Sequence, residues 1–125
     1  QEPNLSRVHD LAMKARAVIE AEHAAPPALA CLAARLGCSP RTLTEAFRAT
    51  FAQSIGAYLT RFRLDQAQRL MRGGMRSTEA AYRVGYSPAH FATAFKQQFG
   101  VSPSQWREGI AGQRNRLPAT ASNSN

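Results

Sequence analysis

An all-α fold of about seven helices is predicted by three features of the sequence. Apolar residues recur at steps of three and four along most of the 125-residue chain, which is the period of an amphipathic helix. No segment shows the sustained apolar and polar alternation that indicates a half-buried strand. Glycines and Ser-Pro pairs separate the periodic segments, at the places where helices end and begin.

Prolines and glycines set the ends of the predicted helices. The pair Pro26-Pro27 stops the first helix, because proline lacks a backbone donor and clashes with the preceding turn. Gly37 ends the second, since glycine takes a positive φ most easily. Ser39-Pro40 predicts an N-cap with proline at the first helical position, and Ser87-Pro88 predicts the same start again. The predicted helices are residues 5–24, 28–36, 40–50, 54–71, 78–84, 88–98 and 103–110.

An internal repeat is the strongest signal in the chain. Placing Gly37 over Gly85, an offset of 48 residues, aligns LAARLGCSPRTLTEAFRATFAQS with AAYRVGYSPAHFATAFKQQFGVS, and nine aligned positions are identical. Each copy has a short helix with a small residue at its crossing point, Ala33 or Ala81, then a glycine turn and a second helix. This pattern predicts a helix-turn-helix. Two copies are too few for a solenoid.

One face of each second helix is predicted to be buried and the other exposed. The stripe Leu43, Phe47 and Phe51 is repeated 48 residues later as three phenylalanines, and both stripes pin the helix to a core. On the long helix, the predicted apolar side is Ile55, Tyr58, Leu59, Phe62, Ala67, Leu70 and Met71. The faces left exposed carry Arg41, Thr44, Glu45 and Arg48 in the first copy, and Ala89, Thr93, Lys96 and Gln97 in the second.

The charge of the chain favours a nucleic-acid partner. There are 16 basic and 8 acidic side chains, a formal charge of +8. Residues 1–28 contain three bases and four acids, whereas residues 29–125 contain 13 bases and four acids. Fourteen of the bases are arginine, whose planar fork suits phosphate and guanine edges. The alternative is a basic module that binds an acidic protein, or nucleic acid without sequence preference.

The long helix has a length that suits a bipartite DNA site. Its 18 residues, 54–71, span about 27 Å at ~1.5 Å per residue. Successive major grooves on one side of a duplex lie about 34 Å apart. We therefore expect this helix to place the second helix of each copy, the recognition helix, into adjacent major grooves.

These motifs resemble the DNA-binding domain of the AraC/XylS family of bacterial transcription regulators. The resemblance covers about residues 28–107 and rests on LAARLGCSPRTLTEAF, RFRLDQAQRLM and AAYRVGYSPAHFATAFKQQFGVSPSQWR. It implies a homeodomain-like, all-α fold with promoter binding that activates or represses transcription. The expected subdomains are a first helix-turn-helix over 5–53, a connecting helix over 54–72 and a second helix-turn-helix over 73–110. The polar segment 111–125 predicts a disordered tail.

The resemblance also assigns roles to single residues. Base edges are contacted by Arg41, Thr44 and Glu45 in the first copy and by Ala89, Ala92 and Thr93 in the second. The family often has arginine where this chain has Glu45 and Thr93. Glutamate there suits a cytosine amino group, whereas the alanines suit thymine methyl groups or DNA shape. Phosphate contacts are expected from Ser39, Arg48, Arg61, Arg63, Arg83, Ser87, His90 and Lys96.

Two arginines have an alternative role. Arg63 and Arg35 are equally well explained as structural residues that lie over the core beside an acidic partner.

Among the predicted contacts, we expect the first copy to carry more sequence information than the second.

The sequence predicts no enzyme, no cofactor and no metal site. Cys31 and Cys38 have a separation that matches no metal-binding spacing, and the three histidines form no ligand pattern. Cys31 lies in an apolar stretch and is expected to be a small buried residue. A DNA-repair protein that carries this kind of helix-turn-helix module would also have a cluster of reactive cysteines. The sequence contains no such cluster.

The expected partners are double-stranded promoter DNA and RNA polymerase. No apolar run approaches the roughly 18 residues that span a bilayer, so no membrane is expected and the predicted location is the cytoplasm. Because the chain begins at Gln1 and not at methionine, we expect it to be part of a longer protein. The missing part would be an N-terminal domain for effector binding and dimerisation.

Overall fold

The computed structural model describes residues 5–109, and within that range the chain forms seven helices and no strand. The all-α prediction is therefore confirmed. The predicted tail over 111–125 lies outside the described residues. The helices are α1 (Leu5–Ala21), α2 (Leu29–Arg35), α3 (Pro40–Phe51), α4 (Ile55–Arg72), α5 (Ser77–Arg83), α6 (Pro88–Phe99) and α7 (103–109).

The first helix ends earlier than its apolar pattern predicts. α1 stops at Ala21, and the chain continues in a turn in which the amide of Ala25 donates to the carbonyl of Glu22 at 3.1 Å. The ring nitrogen Nδ1 of His23 lies 2.9 Å from the carbonyl oxygen of Glu20. These local bonds satisfy backbone groups that a helix end leaves without partners, so the chain leaves the helix before the proline pair.

The contacts divide the chain into two compact units, with the boundary inside α4 between Gln66 and Ala67. We call the part up to Gln66 unit 1 and the part from Ala67 unit 2. In unit 1, α1 and α2 both pack against α3. The main hydrophobic cluster of unit 1 contains Ala15, Ile19, Leu32, Ala33, Leu43 and Phe47, and the partly buried residues packed against it include Val18, Leu36, Phe51, Ile55, Tyr58 and Leu59.

Unit 2 has a core of the same chemistry. α5 packs against α6, and the buried side chains of unit 2 include Ala81, Phe91 and Phe95. Ring pairs match between the units: Phe47 and Phe51 have centroids 4.7 Å apart, and Phe95 and Phe99 have centroids 4.5 Å apart. The remaining buried residues in the described part of unit 2 are Ala67, Met71, Ala80, Val84 and Pro103.

The internal repeat extends to the helix that follows each recognition helix. Ser54 Oγ accepts from the amide of Ala57 at 3.0 Å, and Ser102 Oγ accepts from the amide of Gln105 at 3.1 Å. Behind these caps, Tyr58 lies edge-on to Phe47 as Trp106 does to Phe95. The same device therefore starts α4 and α7 and brings an aromatic ring against the core.

One sequence prediction about burial was wrong, and one buried residue was missed. Cys31 is exposed, because on the short helix α2 the neighbouring Leu32 and Ala33 take the core-facing positions. Leu64 was not among the predicted core residues of α4 but is fully buried. It lies on the same arc of the helix as Ala67 and Met71, two residues that the predicted apolar side did include.

Candidate nucleic-acid interface

The turns of the two helix-turn-helix motifs have the same backbone geometry. Gly37 and Gly85 have φ values of 75° and 94°, in the left-handed region that glycine enters without a steric cost. After each glycine, the amide of the next residue donates back to the alanine at the crossing point. Cys38 donates to the Ala33 carbonyl at 3.0 Å, and Tyr86 donates to the Ala81 carbonyl at 2.9 Å. Ala33 and Ala81 are completely buried.

The recognition helices α3 and α6 also begin in the same way. Ser39 and Ser87 have extended φ and ψ angles and are followed by proline at the first helical position. The hydroxyl of Ser39 accepts from the amide of Thr42 at 3.1 Å, and the hydroxyl of Ser87 accepts from the amide of His90 at 3.3 Å. The predicted N-caps are confirmed, so residues 48 apart occupy equivalent positions on the two helices.

The exposed face of α3 is charged. Arg41 Nε donates to Glu45 Oε2 at 3.1 Å, and the two side chains are 88% and 66% exposed. A surface ion pair of this kind is worth about 0–1 kcal/mol, so it orients the guanidinium without locking it. Arg48 is exposed one turn further on, whereas Thr44 is half-buried.

The exposed face of α6 has a different chemistry. Ala89, Ala92 and Thr93 are all exposed, at the positions that Arg41, Thr44 and Glu45 occupy on α3. The hydroxyl of Thr93 donates to the carbonyl of Ala89 at 3.3 Å, so its hydrogen is used within the helix. The further exposed residues of this helix include His90, Lys96 and Gln97.

The predicted phosphate contacts differ in their surroundings. Arg48, Arg61, Arg83 and Lys96 are exposed, and Arg61 Nε lies 3.9 Å from Asp65 Oδ2. Ser39, Ser87 and His90 are exposed too, and each takes part in an N-cap: Ser39 Oγ also donates to Thr42 Oγ1 at 2.9 Å, and His90 Nδ1 lies 3.1 Å from Ser87 Oγ.

Arg63 and Arg35 make structural contacts within unit 1. Arg63 is half-buried, and its Nε donates to the carbonyl of His23 at 2.7 Å. Arg35 makes two bonds to the Glu22 carboxylate, at 2.9 and 3.3 Å, and the side-chain hydrogen bond from Arg35 holds the pKa of Glu22 below its usual value. Both arginines connect the segment after α1 to another helix. Arg35 has the acidic partner that the structural alternative predicts, whereas Arg63 bonds a backbone carbonyl.

Sequence patterns missed two contacts that shape this surface. The bond from Thr93 to Ala89 has a signal in the sequence, because threonine in a helix often bonds the carbonyl four residues earlier. The bond from the Tyr58 hydroxyl to Glu20 Oε2 joins residues far apart in sequence and has no local signal. Burial first, and then this bond, raise the pKa of Tyr58 to about 12.

Two other kinds of feature are absent from the part of the chain that the structure describes. Over residues 5–109, no three His, Cys, Asp or Glu side chains cluster in a way that would hold a metal ion. No helix in that range combines the length and the apolar character that a membrane span requires.

The duplicated unit defines a class of protein: a domain with two helix-turn-helix motifs that each present one capped helix to solvent. A family model described as "Helix-turn-helix domain" matches residues 32–109. The chain belongs to the AraC-type family of helix-turn-helix DNA-binding domains.

Individual relatives support this placement. The chain is 36% identical over 83 residues to the HTH-type transcriptional activator RhaS of Escherichia coli, an alignment that covers 65% of this chain and 30% of the relative. It is 33% identical over 72 residues to the activator RhaR of Salmonella arizonae, covering 56% of this chain and 26% of that protein. The chain therefore spans less than a third of the curated relatives it matches.

Solved structures have the same fold. The C-terminal domain of AraT, a response regulator from Geobacillus stearothermophilus, matches with a TM-score of 0.75 and 31% identity over 82% of this chain and 88% of that chain. The DNA-binding domain of AdpA, solved in complex with a target DNA, matches with a TM-score of 0.73 and 31% identity over 86% of this chain and 96% of that chain.

Proposed function

We propose that this chain binds a specific double-stranded DNA sequence in a promoter, as the DNA-binding part of a bacterial transcription regulator. The observation that carries the proposal is the pair of exposed helix faces on equivalent, N-capped frames in a family of DNA-binding domains. The similar AdpA domain has been solved in complex with its target DNA. In this proposal α3 and α6 enter adjacent major grooves.

The first recognition helix is proposed to contact base edges through Arg41, Thr44 and Glu45. Arginine donates two hydrogen bonds to O6 and N7 of guanine, and glutamate accepts from the amino group of cytosine. The exposure of both members of the Arg41–Glu45 ion pair supports this role, because both side chains are accessible to a partner. On α6 the corresponding contacts come from Ala89, Ala92 and Thr93.

Phosphate contacts are proposed for the exposed cations and for the residues at the helix starts. Positive side chains fix the register of a protein on DNA, and backbone amides at a helix N-terminus favour an anion. Arg63 differs from the others because it is half-buried and bonded to the His23 carbonyl; its proposed effect on DNA binding is the smallest. The proposed set is Ser39, Arg48, Arg61, Arg63, Arg83, Ser87, His90 and Lys96.

The larger protein is proposed to be an activator or repressor in the cytoplasm. Relatives such as RhaS are transcriptional activators and are more than three times as long as the region they share with this chain. We infer an N-terminal domain for effector binding and dimerisation, and a contact with RNA polymerase at the promoter. Transcription from a reporter promoter with the full-length protein and purified polymerase tests these inferences. A change in transcription on adding an effector would support the N-terminal domain, and a change on adding the protein alone would support the contact with polymerase.

Selection from a random DNA pool tests the core of the proposal. Duplexes bound by the chain are sequenced after several rounds, and affinities for a selected and a random duplex are measured at several salt concentrations. With six to ten phosphate contacts, both affinities should fall by roughly 10³ to 10⁵ between about 50 and 200 mM salt. A sequence-specific domain keeps a ratio of about 10³ or more between the two duplexes.

The alternative predicts a different result in the same assay. A basic module without sequence preference would show the salt dependence with no enriched motif, and the ratio would stay near one. A protein-interaction module would bind DNA weakly at any salt concentration. Either outcome would overturn sequence-specific DNA binding as the function of this chain.

A further inference from the structure

The recognition helix of unit 2 offers methyl groups where a base-contacting helix usually offers hydrogen-bond donors. Ala89 and Ala92 are exposed and end in a methyl group, and Thr93 lies beside them on the same face. The N-terminal residues of a recognition helix are those that meet base edges in the major groove. These three residues lie in the first two turns of α6, which begins at Pro88.

The hydrogen bond made by Thr93 decides what this face is able to recognise. Its hydroxyl donates to the carbonyl of Ala89 at 3.3 Å, so the hydrogen is not offered to an acceptor on a base. Guanine presents the acceptors O6 and N7 in the major groove, whereas thymine presents a C5-methyl group. Because none of Ala89, Ala92 and Thr93 offers a donor, these three side chains have no means to select guanine, but their methyl groups fit against the methyl group of thymine.

We propose that α6 selects thymine by apolar contact between these three side chains and the C5-methyl groups of the bases in its groove. The inference rests on the proposed function, because it assumes that α6 enters the major groove. The two units then recognise different chemistry with one scaffold: α3 recognises hydrogen-bonding edges through the charged pair Arg41 and Glu45, and α6 recognises methyl groups.

Deoxyuridine tests this directly, because it pairs like thymine and lacks only the C5-methyl group. The selected duplex is first divided into halves: the half whose base preference changes in Arg41→Ala is assigned to α3, and the other to α6. Each thymine in the α6 half is then replaced by deoxyuridine. We expect affinity to fall about fourfold for each methyl group that contacts the helix. The same replacement in the α3 half is the matched control and should change affinity less than twofold.

Two variants of α6 separate methyl recognition from hydrogen bonding. Thr93→Val keeps the shape and both branches of the side chain but has no hydroxyl, so it should retain the preference for thymine over deoxyuridine. Ala92→Ser adds a polar group in the middle of the face and should reduce that preference at least twofold. Circular dichroism of both variants checks that α6 remains folded.

The possible outcomes separate this inference from the function on which it rests. If no duplex is enriched, the proposed function fails. If a motif is enriched but its α6 half contains no thymine, or deoxyuridine there binds as well as thymine, DNA binding stands and methyl recognition is wrong. If Thr93→Val reduces the preference for thymine over deoxyuridine as much as Ala92→Ser does, recognition depends on the Thr93 hydroxyl, which also overturns the inference.

Discussion

Unit 1 and unit 2 reach the same turn geometry with the same residue types, yet their recognition helices expose different chemistry. Glycine at φ 75° or 94°, a buried alanine and a Ser-Pro helix start are kept in both. The exposed positions change from Arg41 and Glu45 to Ala89 and Thr93. The same residue types therefore build both turns and helix starts, while the outward-facing side chains differ in chemistry.

The largest effect is expected from removing the central phenylalanine of either unit. Phe47 and Phe95 are completely buried and equivalent in the repeat, so alanine at either position leaves a cavity and should cost about 3–5 kcal/mol of stability. Urea denaturation of Phe47→Ala and Phe95→Ala measures both losses. Similar losses would support duplicated cores. A variant that unfolds at the same urea concentration as the parent would show that its unit does not depend on that ring.

The next largest effect is expected on DNA binding, and it distinguishes Arg41 on the exposed face of α3 from arginines outside that face. Arg41→Ala should weaken binding to the selected duplex by about 1–3 kcal/mol and relax the preference at one base pair. Arg69→Ala is a control for charge, because Arg69 is exposed on α4 and outside the proposed contacts. Fluorescence anisotropy with duplexes that vary at each position measures both. An equal loss on every duplex would make Arg41 a phosphate contact.

Local signals made most of the frame predictable from the sequence. Gly37, Gly85 and the Ser-Pro pairs act within a few residues of themselves, so the turns and helix starts were correct. The helix ends and the burial of Cys31 and Leu64 were less accurate, because they depend on which arc of a helix meets the rest of the core. Two hydrogen bonds join residues far apart in sequence: Tyr58 to Glu20, 38 residues apart, and Arg63 to the His23 carbonyl, 40 residues apart. No local sequence pattern predicts them.

The sequence predicted which positions of the candidate site are exposed better than it predicted the hydrogen bonds that their side chains make. The repeat correctly predicts which positions of α3 and α6 face outward. All of the proposed base-contact residues are exposed except Thr44, which is half-buried. Periodicity does not say that the Thr93 hydroxyl turns to its own helix. Because of that bond, Thr93 does not offer its hydroxyl hydrogen to a partner, and the methyl groups of Ala89, Ala92 and Thr93 remain on the exposed face.

A smaller effect on stability is expected from the N-caps, and it should be equal in the two units. Ser39→Ala and Ser87→Ala each remove a hydroxyl that accepts from a backbone amide in the first turn, at a cost of about 1 kcal/mol. Denaturation without DNA measures the cap separately from any phosphate contact. Ser39→Asp and Ser87→Asp keep a capping oxygen and should recover most of the loss. If only one serine matters, the recognition helices do not begin equivalently.

The smallest effect concerns a feature that distinguishes unit 1 from unit 2. Tyr58 bonds the Glu20 carboxylate, whereas the equivalent residue of unit 2, Trp106, has no ionisable group. Because the folded protein raises the pKa of Tyr58 from 10.0 to about 12, it holds the phenolic proton more tightly than the unfolded chain does. The stability that results is complete below pH 10 and is lost as the pH rises through about 12.

Tyr58→Phe removes both the bond and this pH dependence. At neutral pH the variant should lose about 1 kcal/mol or less, since the net value of a hydrogen bond is about 0.5–1.5 kcal/mol and Tyr58 is only half-buried. Between pH 10 and about 12 the parent should lose stability relative to the variant, so its advantage falls to zero or below, as urea denaturation at several pH values would show. Tyr82→Phe is the control, because Tyr82 is 64% exposed. A constant difference across this range would mean that the Tyr58 proton does not contribute to the stability of unit 1.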